Sequence, residues 1–260
     1  MLLYAAYGGV FMFLELQNKD GNYRKRYFDM LKYRLAYGSL ELEGIEGDLA
    51  DEIQSLKISN QLDAIDYIFE YNIDANISPM EYLNLLCEIA DRTTGGEVSY
   101  FRKTKACVIG SNVERSNPAM IRNDLYYLVD DYKYWISNCK SVDELYEIEA
   151  RFHIRLLHIH PFEDGNGRTA RTILVYNLCN HNIAPCIITK EVKKEYCDYI
   201  ENGDEKKLAD LIKRLSHKEF KNMLSLYKEL DRKGLIEDNI MSPELEEKYS
   251  DAVKALKKRV

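Results

Sequence analysis

Twelve residues, HPFEDGNGRTAR from His160 to Arg171, hold the side chains whose types and spacing could do chemistry. Pro161 disfavours helical geometry at the residue before it, so a helix leading in should stop at or near His160. Asp164, Gly165, Asn166 and Gly167 form a dense turn signal, in which glycine reaches backbone angles closed to other residues. Apolar spacing resumes at Ala170, Ile173, Leu174 and Leu178, so the turn opens a second helix. A glycine-rich turn running into a helix N-terminus presents unpaired N–H groups and a partial positive charge, which together make an anion site. Arg168 and Arg171, three residues apart, share one face of that first turn, and each offers a planar fork suited to phosphate. Asp164 supplies one carboxylate, enough for a Mg²⁺ ion that keeps most of its waters and borrows phosphate oxygens. His160 adds a titratable base. The combination points to chemistry on a nucleotide phosphate.

The same stretch resembles the signature of the Fic family, HPFx[D/E]GNGRxxR, with every specified position filled. The resemblance implies an all-α fold, a helical bundle in which two central helices hold the active loop between them beneath a small β-hairpin flap. It implies an enzyme, a nucleotidyltransferase of the protein adenylyltransferase kind. Such an enzyme moves AMP from ATP to a Ser, Thr or Tyr hydroxyl of a target protein and releases pyrophosphate, with Mg²⁺ as its metal. Carried over by position, His160 becomes the base and Asp164 the Mg²⁺ ligand. Gly165, Asn166 and Gly167 would hold the phosphates through the backbone and one amide side chain. Arg168 would contact the α- and β-phosphates and Arg171 the γ-phosphate, while Phe162 faces the core. The same fold moving UMP, GMP or phosphate, and a nucleotide-sensing, toxin-like interaction protein, are the alternative readings.

The elements around the turn follow from periodicity. Tyr27, Met30, Leu31, Leu35 and Leu42 predict an amphipathic helix from Asn22 to Leu42. Its end, Ser39 to Gly44 (SLELEG), resembles the inhibitory motif (S/T)xxxE(G/N) of a class of Fic proteins, although Ile45 follows where many relatives have Asn. The resemblance implies that Ser39, Glu43 and Gly44 are regulatory and that Glu43 occupies the fork of Arg171. Residues 46–92 read as helices, one of them started by Ser78-Pro79 as N-cap and first helical residue, and Gly95-Gly96 breaks the pattern. Phe101 to Gly110 (FRKTKACVIG) has the composition of a short strand. At this place the resemblance implies the flap, which covers the nucleotide and pairs with an extended segment of the target protein. Cys107, Val108, Ile109 and Gly110 are then candidate nucleotide neighbours. Two long helices are predicted over 123–137 and 143–159, the second with a core stripe at Leu145, Ile148, Phe152, Leu156 and Ile159. His153 and His158 have the wrong spacing for a zinc site and are expected to make structural hydrogen bonds. Beyond a brief extended piece at Ile187 to Thr189, Tyr196 lies on a helix and resembles a family tyrosine that lines the nucleotide pocket. A further helix is expected to run from NGD at 202–204 to about His217, and a charged helical tail to follow, broken near 238–243.

At 260 residues the chain suits one large domain with terminal additions. These are an N-terminal segment with the inhibitory helix (1–50), a core (51–217, supported by motifs over 78–215) and a C-terminal tail (218–260). The tail could pack on the core or mediate self-association, so a homo-oligomer remains open. A net charge of −7 argues against binding to nucleic acid or to an anionic membrane. Six scattered cysteines without a CxxC pair predict reduced thiols and a cytoplasmic setting. The apolar start MLLYAAYGGVFMFLEL lacks a basic n-region and is too short to cross a bilayer, so it reads as a buried segment or an upstream translation start.

Overall fold

The computed structural model describes residues 21–44, 52–70, 77–97, 100–108 and 111–234. The apolar start, the break near 238–243 and the rest of the tail lie outside these residues. The described residues form eight α-helices: α1 (Gly21–Glu41), α2 (Glu52–Glu70), α3 (Pro79–Thr94), α4 (Ile121–Asn138), α5 (Val142–Ile159), α6 (Asn166–Asn180), α7 (Lys193–Glu201) and α8 (Glu205–Arg232). None is long and apolar enough to cross a membrane.

Local chemistry explains most of the helix ends. Ser78 caps α3 in a reciprocal box, its hydroxyl accepting from the Glu81 N–H while the Glu81 carboxylate accepts from the Ser78 N–H. Pro79 follows at the first helical position, and Gly95 closes α3 in the left-handed region. Ser141 caps α5 through the Glu144 N–H. The predicted stop near His217 does not occur. No glycine or proline stands there, and the buried stripe runs on through Phe220, Met223, Leu224, Tyr227 and Leu230, so α8 continues to Arg232. In α1 the buried stripe is Tyr23, Tyr27, Leu31 and Leu35, whereas Met30, expected on that face, is exposed.

Packing puts α6 at the centre. Ala170, Ile173, Val175 and Tyr176 face one core cluster with α1 to α5 and α8, and Leu174 and Leu178 face a second with α5, α7 and α8. Helix α1 docks on α8 through a buried carboxylate. Tyr27 Oη and Arg34 Nη1 each donate to Glu219 Oε1 at 2.9 Å, and Arg34 Nη2 donates to Glu219 Oε2. A bidentate fork fixes angle as well as distance, so this contact sets how α1 lies.

A second buried chain ties α3, α4, α5 and α6 together. Tyr132 Oη donates to Glu149 Oε1 at 2.6 Å, Asn177 Nδ2 donates to Glu149 Oε2 at 3.0 Å, and Tyr82 Oη donates to Asn177 Oδ1 at 2.8 Å. It clamps the two helices that flank the 160–165 loop. Burial pushes the Glu149 carboxyl up to about 7, against the bonds from Tyr132 and Asn177 that lower it. A raised folded-state value means that the folded protein holds this proton longer than the unfolded chain, whose glutamate titrates near ~4.3. The stability so contributed is complete below about pH 4.3 and is lost as the pH rises through 7. Between pH 5 and pH 8 the parent should therefore lose on the order of 2 kcal/mol more unfolding free energy than Glu149→Gln, measured by urea titration. Equal losses in the two proteins would show that Glu149 does not titrate in that window.

Candidate active site

The loop between α5 and α6 is built by its own backbone. Helix α5 ends at Ile159, and His160 takes left-handed angles, φ 53° and ψ 61°, with its N–H donating to Leu156 O at 3.1 Å. Phe162 is buried against Ala90, its ring 6.0 Å from that of Phe101. Asn166 then closes the loop from both sides, its Oδ1 accepting from Phe162 N at 2.9 Å and its Nδ2 donating to Phe162 O at 2.7 Å. The amide expected to reach phosphate is thus engaged in holding the turn, which leaves the N–H groups of the first turn of α6 to face an anion. Gly165 caps α6 at φ 76°, and a Cβ there would lie 2.9 Å from Thr94 Cγ2. A Cβ at Gly167 would lie 2.8 Å from Arg171 Nη1. At Gly165 the left-handed backbone and the close approach of α3 together favour glycine.

The two arginines stand where the spacing put them. Arg168 is 2 % exposed and donates from Nη1 to Thr93 O at 2.6 Å and from Nη2 to Asp164 Oδ2 at 2.7 Å. Arg171 donates from Nε to Ser39 Oγ at 2.7 Å, and from Nη2 to Ser39 O and Glu43 Oε1, both at 3.0 Å. Glu43 reaches further than the resemblance implied, because its Oε2 also lies 3.2 Å from Arg168 Nε. That second contact is an ion pair at an angle too poor for a hydrogen bond. One carboxylate from the end of α1 therefore spans both guanidiniums.

Asp164 borders this pair through Arg168, and His160 lies within electrostatic reach of Asp164. Burial, then the Arg115 and Arg102 guanidiniums, bring the His160 imidazole down to about 4, against Leu157 and Asp164, which raise it. It is neutral at pH 7. Partial burial pushes the Asp164 carboxyl up, but Arg168, the Gly165 N–H and Lys57 outweigh it and hold Asp164 below the ordinary carboxylate range. The Asp164 side chain is 63 % exposed and meets Arg168 through Oδ2, so the donor set fits a Mg²⁺ bound by one carboxylate with phosphates and water. Among the described residues no group of three His, Cys, Asp or Glu side chains could hold an ion by itself.

Tyr196, expected to line the nucleotide pocket, is 3 % exposed. Its hydroxyl lies 2.8 Å from His153 Nε2, behind Arg171, and burial pushes it up to about 12 against the pull of Arg171. His158 Nε2 lies 2.7 Å from Ile200 O, so both histidines make the structural bonds expected of them. Residues 100–108 contain no strand. Their hydrogen bonds go to the loop instead of to a partner strand: Arg102 N donates to Pro161 O at 2.9 Å, and Lys103 N to Glu163 Oε1 at 3.2 Å. Cys107 is exposed and Val108 half-buried, whereas Ile109 and Gly110 lie outside the described residues.

Comparison with known proteins bears on the fold. Residues 80–178 match the Fic/DOC family. The protein adenylyltransferase Fic of Aedes aegypti is 28 % identical over 169 residues, covering 62 % of this chain and 32 % of its own length. The chain thus spans about a third of the length of such curated relatives. A Fic domain containing signaling protein from Bacteroides thetaiotaomicron superposes with a TM-score of 0.71 at 18 % identity, over 87 % of this chain and 97 % of that one. Fic-1 from C. elegans gives 0.67 at 18 % identity, over 84 % and 70 %. The fold is that of Fic domains.

Around the turn stand residues that the motif does not name. Arg102 and Arg115 flank His160, Thr93 lends a carbonyl to Arg168, and Glu163 accepts from Thr104 Oγ1 at 3.2 Å. The only sequence signal for Arg102 was its place after Phe101. The lock made by Asn166 can be tested without nucleotide. Asn166→Ala leaves the Phe162 N–H and carbonyl without these partners in a buried loop, and should cost about 1–3 kcal/mol of unfolding free energy. Unchanged stability with weaker ATP binding would return the amide to a phosphate role.

Proposed function

We propose that this chain is a protein adenylyltransferase that transfers AMP from ATP to a Ser, Thr or Tyr hydroxyl of a target protein and is held shut by Glu43. The observation that carries this is the Glu43 carboxylate at 3.0 Å from Arg171 and 3.2 Å from Arg168. Two guanidiniums, 2 % and 11 % exposed, converge at the opening of a helix N-terminus. An arrangement so poor in solvent binds an anion, and in its absence an acidic side chain of the chain itself takes the place. The name of the adenylyltransferase relatives supports AMP as the group moved.

In the transfer, the hydroxyl oxygen attacks the α-phosphorus, the bond from that phosphorus to the bridging oxygen breaks, and pyrophosphate departs. His160 takes the hydroxyl proton. One ring N–H bonds to the Leu157 backbone, and the neutral ring keeps a lone pair on the other nitrogen. The low value of about 4 ensures that this lone pair is not lost to a proton in neutral solution. Arg168, Arg171 and the first N–H groups of α6 bind the phosphates and stabilise the charge gathering on the leaving group. Asp164 would hold Mg²⁺, which when bound supplies further neutralisation of the phosphates. The target docks as an extended segment beside the 100–108 segment.

Two variants test the reading. Glu43→Gly should raise labelling from α-³²P-ATP, self-labelling included, by about ten- to a hundred-and-fifty-fold. A charge-assisted pair of this kind contributes on the order of 1.5–3 kcal/mol. Unchanged or reduced labelling would sink the inhibitory assignment. His160→Ala in the Glu43→Gly background should keep ATP affinity and lose about 10²–10⁴-fold in transfer. Transfer within threefold of the background would remove His160 as the base.

A further inference from the structure

Arg102 is one of the few buried charges of the protein that the transfer does not use. It is 2 % exposed, and its guanidinium bonds to four backbone carbonyls. Nε donates to His160 O at 2.6 Å and Nη2 to Ile159 O at 3.2 Å. Nη1 donates to Thr104 O at 2.7 Å, and Nη2 also donates to Ser116 O at 2.6 Å.

The first two bonds have a specific geometric consequence. The Ile159 carbonyl belongs to the peptide plane before His160 Cα, and the His160 carbonyl to the plane after it. The angle between those planes is what φ and ψ of His160 describe. A single rigid fork bonded to both oxygens restrains their separation, which depends on both angles. His160 needs such a constraint, because a left-handed backbone costs a non-glycine residue about 1–2 kcal/mol. The end of a helix also leaves carbonyls without intrahelical partners and carries a partial negative charge, so a cation placed there is favoured.

We propose that Arg102 is a positioning residue for the transfer. Its guanidinium holds the end of α5 and the backbone of His160 in the conformation that keeps the imidazole near Asp164. The other two bonds join the 100–104 segment and Ser116 to the same fork. The backbone expected to receive the target and the backbone carrying the base therefore move as one piece. This rests on the adenylyltransferase reading for the reaction it serves, but not for the geometry.

The test uses Arg102→Lys in the Glu43→Gly background, since lysine keeps the charge and loses the fork. The phosphate contacts lie elsewhere, so KM for ATP should stay within about threefold. A base displaced by about 1 Å should lower kcat by about 10²-fold. A folded variant with kcat within threefold, or one whose loss lies wholly in KM, would overturn the proposal. A role in stability alone would lower the thermal midpoint and leave kcat per folded molecule unchanged, which also overturns it. A second measurement needs neither a variant nor activity. In the unaltered protein, ¹⁵N-arginine spectra should show an Arg102 Nε–H that exchanges slowly with solvent, because it is buried and donates to His160 O. A fast-exchanging, freely rotating fork would refute the constraint even if the Glu43→Gly protein transferred no AMP. Absent transfer with a protected Nε–H would count against the reaction assigned and not against the fork.

Discussion

A helix that runs into a proline must give up its last carbonyls, and α5 does so at His160, whose backbone turns left-handed at φ 53°. The architecture around the loop compensates for that one unfavourable residue. Arg102 takes the carbonyls of Ile159 and His160, Asn166 takes both backbone groups of Phe162, and Phe162 fills a hole beside Ala90. Each contact joins the loop to a different part of the fold: the 100–104 segment, α6 and α3. The loop is short and irregular, yet its conformation is overdetermined, which is the condition under which strain persists at a working site.

The electrostatics follow from burial. Arg168 cannot turn to water, and it is surrounded by the Thr93 carbonyl, Asp164 and Glu43. Asp164 is four residues away on the same turn and is held low by that guanidinium. Glu43 reaches the same guanidinium from the end of α1, through an ion pair and not a hydrogen bond. The low value at His160 has the same origin. An imidazole desolvated beside Arg115 and Arg102 stays neutral, since a proton there would face two cations.

Local signals carried far. Ser78-Pro79, Gly95 and Ser141 fix helix ends through bonds within a few residues, which a linear reading can reach. The loop was legible because its residues are consecutive. What was not legible is contact at long range. The fork of Arg102 finds partners 57 and 58 residues away, and Glu219 clamps Tyr27 across 192. The angle at which α1 lies brings Glu43 onto Arg168 as well as Arg171, and no spacing within Ser39 to Gly44 encodes that angle. Tyr196 shows the same limit: a tyrosine on an amphipathic helix can face a pocket or the core, and only the fold puts its buried hydroxyl between His153 and Arg171. In the 101–108 segment composition suggested a strand, but strand structure needs a neighbour. Its backbone bonds go to the loop instead.

The way α1 is anchored bears on how the site could open. The anchors at Tyr23, Tyr27 and Arg34 lie well back along the helix on α8, and Leu40 and Leu42 are 1 % and 7 % exposed at its end. Undocking α1 would expose a stripe of large side chains, each of which contributes about 1.5–3 kcal/mol when buried. Unwinding only the last turn would still expose the two leucines. The Glu43 side chain is 31 % exposed and touches the arginines through its carboxylate oxygens. Rotating it into solvent breaks one hydrogen bond and one ion pair and leaves the helix in place. Of the three motions this one costs least, by several kcal/mol on the same scale. Ser39 would then remain on Arg171 through both Oγ and its carbonyl, keeping that guanidinium aimed at the opening while its anion is exchanged. The end of α1 thus meets Arg171 twice, through the serine that orients its guanidinium and through the glutamate that lies on it.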